Sequence, residues 1–131
     1  MTAATSDRDT PRREATTFDF PAKGGRVFFV GALVAIDSAI GFAAPVTGAA
    51  TETVVGVSVH RRDTSVTADG ATVVKVRRGC FRLFVDPANP YTLADVGTVA
   101  HALDDTTLSK AGKAVAGIVR DVDDSGVWIE L

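Results

Sequence analysis

Thr53-Val54-Val55-Gly56-Val57-Ser58-Val59-His60 leads into a polar segment that ends Ala68-Asp69-Gly70. Ala71-Thr72-Val73-Val74-Lys75-Val76-Arg77-Arg78-Gly79-Cys80-Phe81-Arg82-Leu83-Phe84-Val85 follows. Valine is stiff at χ1 and suits a pleated surface. Apolar residues alternate with polar ones on both sides of the turn signal, which is the period of half-buried strands. Asp69-Gly70 supplies the backbone a tight turn needs. The stretch therefore reads as a strand, a loop and a long bent strand. Within the last, Val74 and Val76 share one face, whereas Phe81, Leu83 and Val85 have the opposite parity. A regular strand cannot keep both sets in one core. Either a β-bulge at Arg78-Gly79 restores the phase, or two strands meet at Gly79.

Working outward, Val127, Ile129 and Leu131 form one face of a final strand, with Trp128 and Glu130 on the other. Short strands are also expected around Val27–Val30, Leu33–Asp37, Gly41–Pro45, Val96–Leu103, Thr106–Ser109 and Ala114–Arg120, divided by glycines, prolines and Asp104-Asp105. Thr92-Leu93-Ala94-Asp95 has capping-box spacing and predicts a single helical turn. The expected fold is all-β: a small β-barrel or β-sandwich of short strands with at most that turn. Val54-Val55-Gly56-Val57 is echoed by Val115-Ala116-Gly117-Ile118, which could mark two similar strand kinks.

Residues 1–23 are a different material, rich in Thr, Ser, Asp, Arg and Glu. They lack the apolar residues a core needs and read as an extended N-terminal arm ahead of a β-rich domain over residues 24–131. The arm's anchors are Phe18 and Phe20, followed by Pro21. Alternate aromatics on an extended segment can fill pockets or add to a sheet edge. A partner is favoured as the surface they meet, over the arm's own domain. On that reading, removing the arm as far as Gly24 leaves the fold intact.

A length of 131 residues suits one domain, and a net charge of −2 draws the chain neither to nucleic acid nor to an anionic membrane. No apolar run is long enough to span a bilayer, and Met1–Thr10 lacks the apolar region of a secretory signal. The lone Cys80 cannot form an internal disulfide and reads as a small buried side chain. Asp121-x-Asp123-x-Ser125-Gly126 begins like a calcium loop, but the bidentate glutamate such a loop needs at its twelfth position would fall after Leu131. Asp104, Asp105, Asp121, Asp123 and Asp124 therefore read as solvated turns. His60 and His101 read as solvent-facing, with no ligand spacing to support a metal. There is no nucleophile elbow and no phosphate loop, so no catalytic, cofactor or metal residue is assigned. Lys75, Arg77, Arg78 and Arg82, with Arg61 and Arg62, could make a basic strip that meets an acidic protein surface, guards a strand edge or is solvated, ahead of nucleic acid.

As an ordered set, several segments resemble the capsid decoration, or head cement, proteins of tailed phages. They are Val30-Gly31-Ala32-Leu33-Val34, Val54-Val55-Gly56-Val57, Asp69-Gly70 before Val74–Phe81, Ala94-Asp95-Val96-Gly97, and Ala111–Val119 closing on Gly126-Val127-Trp128-Ile129. The resemblance runs from about Gly24 onward and covers the arm least. It implies a non-enzymatic structural protein on the outer surface of the virion, made in the host cytoplasm. Such a protein binds the major capsid protein, acts as a homotrimer at three-fold positions, and cements neighbouring subunits against internal DNA pressure. Phe18, Phe20, Pro21 and Trp128 are the candidate contacts, Trp128 alternatively packing under a loop. Two other readings are a small trimeric β-barrel enzyme and a glycan-binding virion module, for which Tyr91 and Trp128 would be the exposed aromatics.

Overall fold

The computed structural model describes residues 3–13 and 15–131. The chain forms β1 (Thr17–Pro21), β2 (Val27–Phe28), β3 (Leu33–Asp37), β4 (Ala43–Pro45), β5 (Glu52–Ser58) and β6 (Arg62–Asp63). It continues through β7 (Val73–Arg77), β8 (Cys80–Val85), β9 (Val99–Ala102), β10 (Thr107–Leu108), β11 (Ala114–Asp123) and β12 (Gly126–Glu130). The single helical element is a 310 turn at Leu93–Asp95. Its start is closed as the capping-box spacing requires, with the Thr92 amide donating to Asp95 Oδ2 at 2.7 Å.

All strands except the β2–β6 ribbon belong to one sheet, which rolls up at both ends. At one end β11, β12, β8, β10 and β9 pair in sequence and β9 returns to β11. This roll encloses the larger core, which includes Leu33, Ala35, Leu83, Leu108, Val119, Val127 and Ile129. At the other end β1, β7, β5, β3 and β4 follow one another, and β4 returns to the end of β1 through a bridge between Ala22 and Ala43. That roll surrounds Phe28, Val34, Val74 and Val76, with Phe18, Phe20, Ile36 and Val55 packed against them. Neither roll is a closed barrel. One is completed by the two-residue parallel pairing of β10 with β8, the other by an isolated bridge. β3 serves both cores, Leu33 and Ala35 facing one and Val34 and Ile36 the other.

The parity conflict after Val76 is resolved by separate strands rather than by a bulge. β7 pairs with β1 and β5, whereas β8 pairs with β12 and β10. Arg78 and Gly79 are the corner between the two rolls. The Arg78 amide donates to Thr16 O at 2.7 Å, and Gly79 O accepts from the Leu131 amide at 2.8 Å. Bulges occur instead opposite Val34/Ala35 on β5, and on β11 both between Val115 and Gly117 and between Val119 and Asp121. The two echoed Gly-containing segments sit at two of these bulges, on strands that run parallel with Val115 opposite Thr53.

Cys80 corrects the sequence reading: it is exposed. With Phe81, Leu83 and Val85 turned toward the core, Cys80, Arg82 and Phe84 take the outer face of β8. Tyr91, by contrast, is buried at 5% exposure, and its hydroxyl donates to Ser109 O at 3.2 Å and accepts from the His101 amide at 2.9 Å. Tyr91→Phe strands both groups and should cost about 1–3 kcal/mol. The measurement is the urea midpoint, which should fall with the slope unchanged.

Candidate interaction surface

The arm divides into two parts. Residues 3–13 are exposed and lie outside regular structure. Thr17–Pro21 instead adds to the chain's own sheet, with Phe18 opposite Val76 and Phe20 opposite Val74. The two rings stack at 6.1 Å between centroids and are half-buried against the smaller core. The Arg78 amide donates to Thr16 O, next to β1, and the Ala22 amide donates to Thr72 O, next to β7, which fixes the even-numbered positions of β1 as the paired ones. Pro21 falls on the free edge, where a residue without an N–H removes a donor that another strand would use.

The root of the arm is pinned. Buried Thr64 donates through its hydroxyl to Lys23 O at 2.7 Å and accepts from the Arg26 amide at 3.0 Å. Asp69 accepts from the Gly24 amide at 2.9 Å and pairs with Lys23 at 2.8 Å. A Cβ at Gly24 would lie 2.2 Å from Thr67 O, so this close approach requires glycine. The Asp69-Gly70 turn seen in the sequence thus holds the arm as well as reversing the chain.

β1 borders an open, mainly apolar groove of about 630 Å³. The groove arises where the sheet divides. β11 lies beside β5 at Val115, then pairs with β12 from Ile118 onward, so the end of β12 takes the place of β5. Phe18, Phe20, Val55, Val115 and Ile118 supply apolar walls, with Arg13, Arg78 and Glu130 among the lining residues. The Arg13 guanidinium lies over the Phe18 ring at 4.9 Å. Phe18 and Phe20 therefore reach a site on this domain, where the sequence reading favoured a partner surface.

Trp128 lies elsewhere, half-buried on the outer face of β12. Its indole N–H donates to Asp123 Oδ2 at 2.9 Å, and the Arg82 guanidinium stands 5.9 Å from the ring. That hydrogen bond, then those from Ser125 and Gly126, hold the Asp123 carboxyl below its ordinary range. The late acids divide between the Asp104-Asp105 turn and the end of β11, where Asp121 and Asp123 are strand residues and Asp124 begins the hairpin turn. Asp104 accepts from the amides of Thr106 and Thr107 at 2.9 and 2.8 Å. Asp123 closes the β11–β12 hairpin by accepting from the Ser125 and Gly126 amides. Among the described residues no three histidine, cysteine, aspartate or glutamate side chains come together. Nor is any helix there long and apolar enough to cross a membrane.

Asp105 gives a pH-dependent test. Burial, then the neighbouring Asp104 charge, raises its carboxyl above the usual value. A raised acid costs stability above its folded pKa, and the penalty disappears as pH falls below the unfolded value near 4. Asp105→Asn should therefore raise the melting temperature at pH 7, with the gain vanishing by about pH 3. An equal gain at both pH values would contradict the assignment.

No family model matches the chain, and no curated protein or solved structure matches it either.

Proposed function

We propose that the protein is a capsid decoration protein. It binds the outer surface of a phage head by contact rather than by chemistry, and cements neighbouring major capsid subunits as a homotrimer at three-fold positions. One observation carries the reading: an exposed arm precedes an edge strand whose two phenylalanines border an open apolar groove. An arm that can order against a neighbour and a groove that can accept apolar side chains are what a protein acting by contact alone requires. Repeated sites on a shell let a trimer engage several at once, so modest contacts suffice. The ordered resemblance from Gly24 onward supports the same role. The glycan-binding reading loses one of its two aromatics, because Tyr91 is in the core.

The test is co-sedimentation of the purified protein with expanded, DNA-free heads of the cognate phage. Saturable binding is expected, and removal of residues 1–12 should weaken it. Failure of the full chain to sediment with the heads would sink the proposal.

A further inference from the structure

A second groove, of about 340 Å³, carries Arg77 where the first carries Arg78. Val57 and Phe81 contribute apolar lining, Val30 stands beside them, and Arg82 joins Arg77. Val30 is 65% exposed and its neighbour Phe29 54%. These two residues do not simply trail into solvent. Gly31, with φ +81°, turns the chain behind them, and its amide donates to Ser58 O at 2.9 Å. Ala32 and Leu33 then enter the core. An apolar pair held outward by a pinned turn is already ordered for contact, which lowers the cost of binding.

The charge around this groove is opposite in sign to that of the whole chain. Arg61 stands 5.7 Å from the Phe29 ring centre and Arg82 stands 5.9 Å from that of Trp128. Lys75 shares the exposed face of β7 with Arg77. Among the described residues the salt bridges involve Lys23, Lys110 and Arg120, and none of these four cations. The acids close enough to feel them are Asp63, beside Arg61, Asp123, beside Arg82, and Asp19, opposite Lys75 across the β1–β7 pair, which leaves Arg77 as the cation without an acid beside it. A local excess of positive charge on a chain of net charge −2 selects an acidic partner.

We infer that this groove docks an acidic protein surface that presents an apolar side chain at its centre. The apolar lining favours protein over nucleic acid. So does the placement of Arg61 and Arg82 over Phe29 and Trp128, which occupies ring faces that bases would stack on. The inference deepens the proposed function, on which it rests for the identity of the acidic surface as the capsid shell.

Two experiments test it separately. In the first, ¹⁵N-labelled protein is titrated with a peptide of about ten residues alternating glutamate and leucine, a length that spans a groove as a strand does. Resonances of Val30, Val57 and Phe81 should shift, and Arg77→Glu/Arg82→Glu should weaken binding about tenfold or more while Arg77→Lys/Arg82→Lys retains most of it. Shifts confined to other faces, or equal affinity for the charge-reversed variant, would overturn the inference. Tighter binding of a short DNA duplex at the same resonances would overturn it in favour of nucleic acid. In the second, the charge-reversed variant is compared with the natural chain on expanded heads. Weaker sedimentation is expected, and equal sedimentation would show that another face meets the shell, leaving the decoration role intact. If the natural chain itself fails to bind heads, the decoration role falls and the peptide titration alone decides the groove.

Discussion

Removing residues 1–23 should severely destabilise the domain, whereas removing residues 1–12 should leave its melting temperature nearly unchanged. The longer deletion takes away β1 and Ala22. It uncovers Val74 and Val76, both at 0% exposure, and removes two half-buried phenylalanines that cover them. At roughly half the cost of truncating fully buried phenylalanines, the two rings alone account for about 4 kcal/mol. That is a large fraction of the 5–15 kcal/mol typical of a domain. The deletion also bares the edge of β7, a template for pairing with other chains. Residues 3–12 are exposed and the shorter deletion spares Arg13 over Phe18, so its effect should stay within about 0.5 kcal/mol. Thermal melts of the two truncations check this, and equal stability would contradict the placement of β1. The expectation that the whole arm is dispensable for folding is corrected by that placement. Tests of arm function must therefore cut before Arg13, since a loss of binding after the longer deletion would report unfolding.

The second large effect is expected at Gly117, in the bulge beside the larger groove. Its φ is +133°, and a Cβ there would lie 2.3 Å from Glu130 O, a backbone atom that cannot swing aside. Gly117→Ala combines strain of about 1–3 kcal/mol with overpacking of about 1–3 kcal/mol. Gly97→Ala is the matched control: φ is +92°, but nothing lies within 4 Å of the added carbon. The control should show only the conformational part, about 1–3 kcal/mol. Urea titration of both variants separates the terms, and equal losses would mean that the Glu130 carbonyl is not the constraint.

Strand positions were legible where one face is buried and the other is wet. Val74/Val76 and Val127/Ile129 alternate with charged or half-exposed neighbours, so their inward faces could be read directly. The corner at Arg78-Gly79 was visible as a change of parity, but parity alone does not distinguish a bulge from a switch between rolls. That depends on which strands pair on each side, and pairing is non-local. Cys80 was misread for the same reason: its face follows from the register of β8 with β12, where it lies opposite Glu130. Phe18 and Phe20 lie on an extended segment, as their spacing suggests, and pack against the chain's own smaller core. Nothing in their spacing says whether the sheet they join belongs to their own chain. The grooves were not legible, because each is assembled from segments distant in sequence. The basic residues of the second were visible as a strip, whereas the outward turn at Phe29-Val30 was hidden in a run that reads as a strand.

In the proposed function, the molecule holds other proteins together at the surface of a shell. Cryo-electron microscopy of expanded heads saturated with the protein tests it most directly. Three-fold density is expected on the outer surface, spanning the boundaries between neighbouring capsid subunits and absent from untreated heads. Heads that remain bare at saturating protein would contradict it.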